Sequence, residues 1–200
     1  PNASFHYVFT LFGKQIATND VKVEFKDLSL TEDDIPALRQ ALAIMTDCQA
    51  FVLDNCGLDN ETMASIREDY PRTELVWRIQ FGKYSAWTNA ETIRAVFNVF
   101  DDTCGNLKYC WRTKYMDIGH NETLTDLSFV GYMPDLEILI ASGSAVKQLP
   151  EGIGNCKKLE FLELAYCYKL ESVDPLAGCE NLRNLNICYS KVSDLHALDG

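Results

Sequence analysis

The chain is short of positive charge. It carries 18 Lys and Arg against 29 Asp and Glu, a formal net charge of −11. Sequence-independent nucleic-acid binding needs basic surface to neutralise phosphates, so that class is excluded. The halves split at residue 100 carry 9 − 14 = −5 and 9 − 15 = −6, so no basic tail is hidden in the average. Long apolar runs are also missing. None approaches the roughly 20 residues that a membrane-spanning helix needs, so no membrane span is expected.

Catalytic and metal-binding signatures are missing as well. There is no Cys-x-x-Cys, and none of the three histidines lies at metal-ligand spacing from a cysteine. No G-x-S-x-G, phosphate-binding loop or H-E-x-x-H occurs. Asp33-Asp34 reads as the acidic start of a helix. Asp101-Asp102 lacks the alternating spacing of a calcium loop. The expectation is therefore no catalytic residue, no metal and no cofactor. What is present is ordinary for a folded chain: 47% hydrophobic and 24% charged residues in 200 positions, enough for one domain or two small ones.

The informative feature is self-similarity. Leu136, Leu139, Ala141 and Ser144 recur as Leu159, Leu162, Leu164 and Cys167, then as Leu182, Leu185, Ile187 and Ser190. Each set reads L-x-x-L-x-L-x-x-(N/C/S), at a step of 23 residues. One step back, Thr113, Met116, Ile118 and Asn121 keep the frame in weaker form. Met133, Cys156 and Cys179 follow the same step. A strand alternates its side chains, so the inner leucines of L-x-L point into a core that one repeat cannot close alone.

This pattern resembles the leucine-rich repeat family. The resemblance implies an α/β leucine-rich repeat solenoid, with a curved parallel sheet on the concave face and helices and irregular turns on the convex face. Residues 172–182 look like the short bacterial repeats of the internalin kind. Leu149-Pro150-Glu151-Gly152-Ile153 looks like the variant with a Leu-Pro step. Of the family's asparagine ladder only Asn121 remains; Ser144, Cys167 and Ser190 replace it.

The first half is less regular. Val23 and Phe25 match Phe51 and Leu53 at a step of 28, and Trp77 and Ile79 follow at 26. Thr31 opens a helical pattern over 31–45, and 62–69 is its shorter equivalent. These look like the longer repeats of the ribonuclease-inhibitor kind. Phe12-Gly13-Lys14 returns as Phe81-Gly82-Lys83, which reads as two β-hairpins. A helix is expected over 91–100 and a loop over 101–106. The resulting layout is one solenoid, 1–200, its strands from Phe25 to Ile187 in one sheet. It has a hairpin cap at 1–20, longer repeats at 21–80, a hairpin and helix insertion at 81–111 and short repeats at 112–200. The chain begins at Pro1 and stops in mid-repeat at Gly200, which reads as a piece of a longer protein whose exposed last layer permits end-to-end self-association. The layout resembles gut-bacterial surface leucine-rich repeat proteins, which implies secretion or surface anchoring and brings no characterised activity.

Eight cysteines are present. Cys56, Cys167, Cys156 and Cys179 fall at repeat positions that read as buried thiols. Cys104 and Cys110 are close enough in sequence to pair if the compartment is oxidising. His120 and Cys188 share a face but lie three strands apart, about 14 Å, too far for a nucleophile and base. Asn2, Asn60 and Asn121 begin glycosylation sequons, which are meaningless in a bacterial protein.

The residues flanking the inner leucines face outward along the sheet. Stacked by repeat they give Tyr115, Ile138, Phe161 and Asn184, then Asp117, Ile140, Glu163 and Asn186. A third column holds Gly119, Ser142, Ala165 and Cys188, and a fourth His120, Gly143, Tyr166 and Tyr189. So many apolar and aromatic groups on one face mark either an interaction site or a surface covered by the insertion. As an interaction site, it takes a protein or peptide, or else a carbohydrate or peptidoglycan whose sugar rings stack on Tyr115, Phe161, Tyr166 and Tyr189.

Overall fold

A computed structural model describes residues 6–199; Pro1, the Asn2 sequon and Gly200 lie outside them. The chain divides into two compact units, 1–78 and 79–200.

The first unit opens with a hairpin. Strands β1 (Val8–Leu11) and β2 (Lys14–Ala17) pair antiparallel. Phe12 and Gly13 form the two-residue turn with φ of 47° and 77°, the mirror-image turn whose twist suits a hairpin. Next come β3 (Lys22–Lys26), α1 (Ile35–Ile44), β4 (Ala50–Asp54), α2 (Asn60–Asp69) and β5 (Glu74–Phe81). Val23 stands opposite Phe51 and Phe25 opposite Leu53 in a parallel pair, the expected step of 28. The next pairing sets Phe51 against Leu75 and Leu53 against Trp77. The inward pair is thus two residues earlier than the expected Trp77 and Ile79. Leu75, Trp77 and Ile79 are all buried, so the alternation alone does not choose between the two registers.

Local chemistry starts both helices. A 3-10 turn, Glu32–Asp34, precedes α1, and the Asp34 carboxylate accepts the Thr31 N–H at 2.8 Å. Asp59 caps α2 by accepting the Thr62 N–H at 2.8 Å. Gly57 is required at φ +92°: a Cβ there would lie 2.8 Å from the Leu30 carbonyl oxygen.

In the second unit the chain continues through β6 (Tyr84–Trp87), β7 (Thr92–Arg94), α3 (Asp101–Cys104), β8 (Tyr115–Asp117), β9 (Ile138–Ile140), β10 (Phe161–Glu163) and β11 (Asn184–Asn186). Strands β7 to β11 form one five-stranded parallel sheet in chain order. Met116, Leu139, Leu162 and Leu185 stand side by side across it, as the 23-residue step requires. Opposite the strands, 3-10 turns start at Gly105, Ser128, Glu151 and Asp174, again 23 apart. Gly131 and Gly152 let neighbouring turns approach; a Cβ on Gly131 would lie 2.9 Å from the Gly152 Cα.

Three expectations are corrected here. Residues 92–94 are strand, not helix, because the Glu91 carbonyl accepts N–H bonds from both Lys114 and Tyr115 and draws the segment into the sheet. The loop expected over 101–106 begins with α3. The strands do not share one sheet: the order β3-β4-β5-β6 leaves β5 flanked by β4 and β6, while β7 pairs with β8.

Candidate functional site

Cross-strand register brings the two outward columns together. Thr92, Tyr115, Ile138, Phe161 and Asn184 stand in one row; Arg94, Asp117, Ile140, Glu163 and Asn186 stand in the next. From Tyr115 to Glu163 every outward residue is half-exposed, between fully buried inner residues Met116, Leu139 and Leu162. The row is neither bare nor covered. Polar members are held in place. Glu163 accepts the Ser142 hydroxyl at 2.9 Å, Asp117 accepts the Gly119 N–H at 3.1 Å and Asn186 accepts the Cys188 N–H at 3.2 Å. The Arg94 guanidinium lies 5.1 Å from the Tyr115 ring centre, a cation–π contact.

The third column is less accessible than its alternation suggests. Gly119, Ser142 and Ala165 are buried, and Cys188 is exposed. By that point the strand has ended and the chain is turning.

The fourth column forms the turn itself. Phe97, His120, Gly143, Tyr166 and Tyr189 recur every 23 residues with φ of 66°, 57°, 71°, 59° and 60°. Four of the five are not glycine, an uncommon concentration of left-handed residues. Four of them are held by their backbone: the Phe97 N–H donates to the Gly119 carbonyl at 3.3 Å, and the N–H groups of His120, Gly143 and Tyr166 donate to the carbonyls of Ser142, Ala165 and Cys188 at 2.7–2.8 Å. Their side chains stack along the corner. Phe97 faces His120 with ring centres 5.5 Å apart, and Tyr166 faces Tyr189 at 4.8 Å and 12°. Tyr168 meets Tyr166 edge-on at 6.2 Å. Between the two stacks lies a cavity of about 380 Å³, lined by His120, Glu122, Gly143, Ser144, Ala145, Tyr166, Tyr168 and Lys169.

Thr92, Arg94 and Phe97 join these rows without having been expected. The signal is one more backward step of 23, from Thr113, Met116, Ile118 and Asn121 to Ala90, Ile93, Ala95 and Asn98.

Thiols serve packing in this unit. The Cys156, Cys167 and Cys179 thiols donate to the carbonyls of Val130, Ala141 and Ile153, each 26 residues back, and tie adjacent repeats. Burial, with nearby Asp126, Asp101 and Asp102, pushes the Cys104 thiol up to about 12. Burial, with Cys179 beside it, does the same for Cys156. The Cys104 and Cys110 thiols donate to separate carbonyls, Cys104 to Asp101 and Asp126 and Cys110 to Trp87.

No protein-family model matches the chain. A stretch of 87 residues, 43% of the chain, is 32% identical to a probable disease resistance protein of Arabidopsis thaliana and spans 11% of that protein. An internalin structure from Listeria monocytogenes superposes with a TM-score of 0.52 at 17% identity, covering 80% of this chain and 40% of the internalin. The fold is that of the leucine-rich repeat proteins. A second Listeria internalin, whose functional domain includes a cysteine ladder, aligns over 91% of this chain and 34% of its own at 13% identity and a TM-score of 0.46. The leucine-rich repeat chain thus spans well under half of these longer proteins. Among its described residues no helix is long and apolar enough to cross a membrane.

Proposed function

We propose that this leucine-rich repeat chain is a non-catalytic binding module that takes a protein or peptide partner on the outward strand face of its second unit. The observation that carries the reading is the unbroken half-exposed row Tyr115, Ile138 and Phe161 beside Asp117, Ile140 and Glu163, in register on adjacent strands. Apolar rows rimmed by polar groups are where partners dock, and aromatic residues give large contact area at low entropic cost. The net charge of −11 and the two carboxylates in the row favour a partner with basic groups. The proposed location is extracellular or at a bacterial cell surface, as the likeness to surface repeat proteins implies. The half-buried Leu185 and Ile187, with Leu195 and Leu198 at 47% and 37% exposure, offer a second apolar edge through which two copies associate end to end at high concentration.

The test is capture from bacterial and host surface extracts on three immobilised proteins: wild type, Ile138→Ser/Phe161→Ser, and Tyr132→Ser. Tyr132 is an exposed aromatic on a 3-10 turn away from the strand face. The reading expects one protein retained by wild type and Tyr132→Ser and lost from the double variant. Equal retention by all three contradicts it. Specific binding on a glycan array, abolished by Tyr166→Ser or Phe161→Ser, replaces the protein partner with a carbohydrate.

A further inference from the structure

The corner stack is interrupted at one rung. Phe97 and His120 stack on one side, Tyr166 and Tyr189 on the other, and Gly143 stands between them with no side chain. His120 and Tyr166 are two repeats apart, so their backbones are separated by about 10 Å, twice the strand spacing. A ring placed midway lies about 5 Å from each neighbour, within the range that aromatic pairs favour. We propose that the Gly143 gap is a recognition slot for one planar aromatic side chain of the partner, sandwiched between His120 and Tyr166.

Three observations support an aromatic ring as the occupant. The gap already has its walls, since both flanking rings are held by stacking on a second ring behind them. The cavity of about 380 Å³ sits at the lower end of the range for small-ligand sites. Its inner polar groups are already engaged. Gly143 N–H is bonded to the Ala165 carbonyl at 2.8 Å, His120 N–H to the Ser142 carbonyl at 2.7 Å, and the Ser144 hydroxyl meets the Cys167 sulfur at 3.3 Å. A sugar ring would find partners for its hydroxyls among the exposed Glu122, Tyr168 and Lys169 rather than on this floor, whereas an aromatic side chain needs only the two faces. Glycine also suits φ +71°, but that alone does not explain the gap, because the other four rungs hold the same conformation with large side chains.

The proposal rests on the reading of this unit as a peptide- or protein-binding module, and its test needs no partner. Isotope-labelled protein is titrated with N-acetyl-tryptophanamide and N-acetyl-tyrosinamide, with chitotriose as a third arm, while the ring resonances of His120 and Tyr166 are followed by NMR. The slot predicts saturable upfield shifts at both rings with the aromatic amides. Gly143→Tyr, which restores the missing rung in a conformation its neighbours already adopt, weakens the response at least tenfold, and so does Tyr166→Ser. An unshifted wild type, or an undiminished response in Gly143→Tyr and Tyr166→Ser, overturns the proposal. So does chitotriose shifting the same rings more strongly than the amides. A captured partner that is lost with Ile138→Ser/Phe161→Ser yet binds Gly143→Tyr unchanged removes the slot and leaves the strand-face reading intact.

Discussion

The side chain of Asn121 accepts the Val99 N–H at 2.8 Å and donates to the Ala95 carbonyl at 3.0 Å. Its amide also donates to Ile118 at 2.7 Å. One buried side chain, 3% exposed, thereby satisfies backbone groups in two repeats where the turn leaves them without ladder partners. Asn121→Ala strands those groups in the interior and is expected to cost about 3 kcal/mol in denaturant unfolding. Ser144→Ala, which removes a hydroxyl facing a thiol, is expected to cost about 1 kcal/mol or less. Equal losses contradict the asymmetry.

Leu162 is fully buried while its neighbour Glu163 faces outward. Leu162→Ala should cost about 2–5 kcal/mol. Glu163→Ala loses only the bond from Ser142 at a half-exposed site and should cost about 1 kcal/mol or less. Urea unfolding of both variants checks the orientation of β10.

Seven of the eight cysteines are buried and Cys188 is exposed. A disulfide-exchange reagent at pH 8 should titrate one thiol in the folded protein and eight after unfolding, with Cys188→Ser abolishing the native reaction. Burial raises the folded values of Cys104 and Cys156 to about 12, above those of the unfolded chain. Their contribution to stability is complete below the unfolded thiol value near about 8.5 and is lost as pH climbs toward the folded values. The urea midpoint should therefore fall progressively above about pH 8.5.

Acid acts through carboxylates. The Thr62 N–H and hydroxyl hold Asp59 below the usual range, and the Lys158 ammonium does so for Asp135. Burial of Asp101 opposes ionisation, but bonds from Thr125 and Asp126 outweigh it and lower that group too. A depressed folded value contributes stability above the unfolded value, near about 4, that is lost as pH falls through the folded value. The urea midpoint should drop below about pH 4, and Asp101→Asn should make that drop shallower.

The 23-residue frame was legible where leucine marks it, because L-x-x-L-x-L buries every landmark. It was hidden one repeat earlier, where Ile93 and Ala95 do the same work. Ala95 is 0% exposed, yet alanine carries little signal, and a helix over 91–100 fits those residues equally well by periodicity. The repeated Phe-Gly-Lys marked both hairpin turns: the Gly82-Lys83 reversal falls between β5 and β6 as expected, whereas the first turn is Phe12-Gly13, one residue before the expected Gly13-Lys14. The echo runs at 69, whereas β6 follows β2 by 70 and buried Thr88 follows buried Thr18 by the same step. The outward columns followed from strand alternation. The aromatic corner did not, because stacking there depends on non-glycine residues holding positive φ, which no composition rule announces.

The central claim is that the outward strand face binds the partner. It is tested most directly by calorimetric titration of a partner captured on the wild-type protein against three folded proteins: wild type, Ile138→Ser/Phe161→Ser and Tyr132→Ser. Binding through this face predicts at least a tenfold weaker Kd for the double variant, about 1.4 kcal/mol or more, and an unchanged Kd for Tyr132→Ser. An unchanged Kd in the double variant, or a loss confined to Tyr132→Ser, would contradict it.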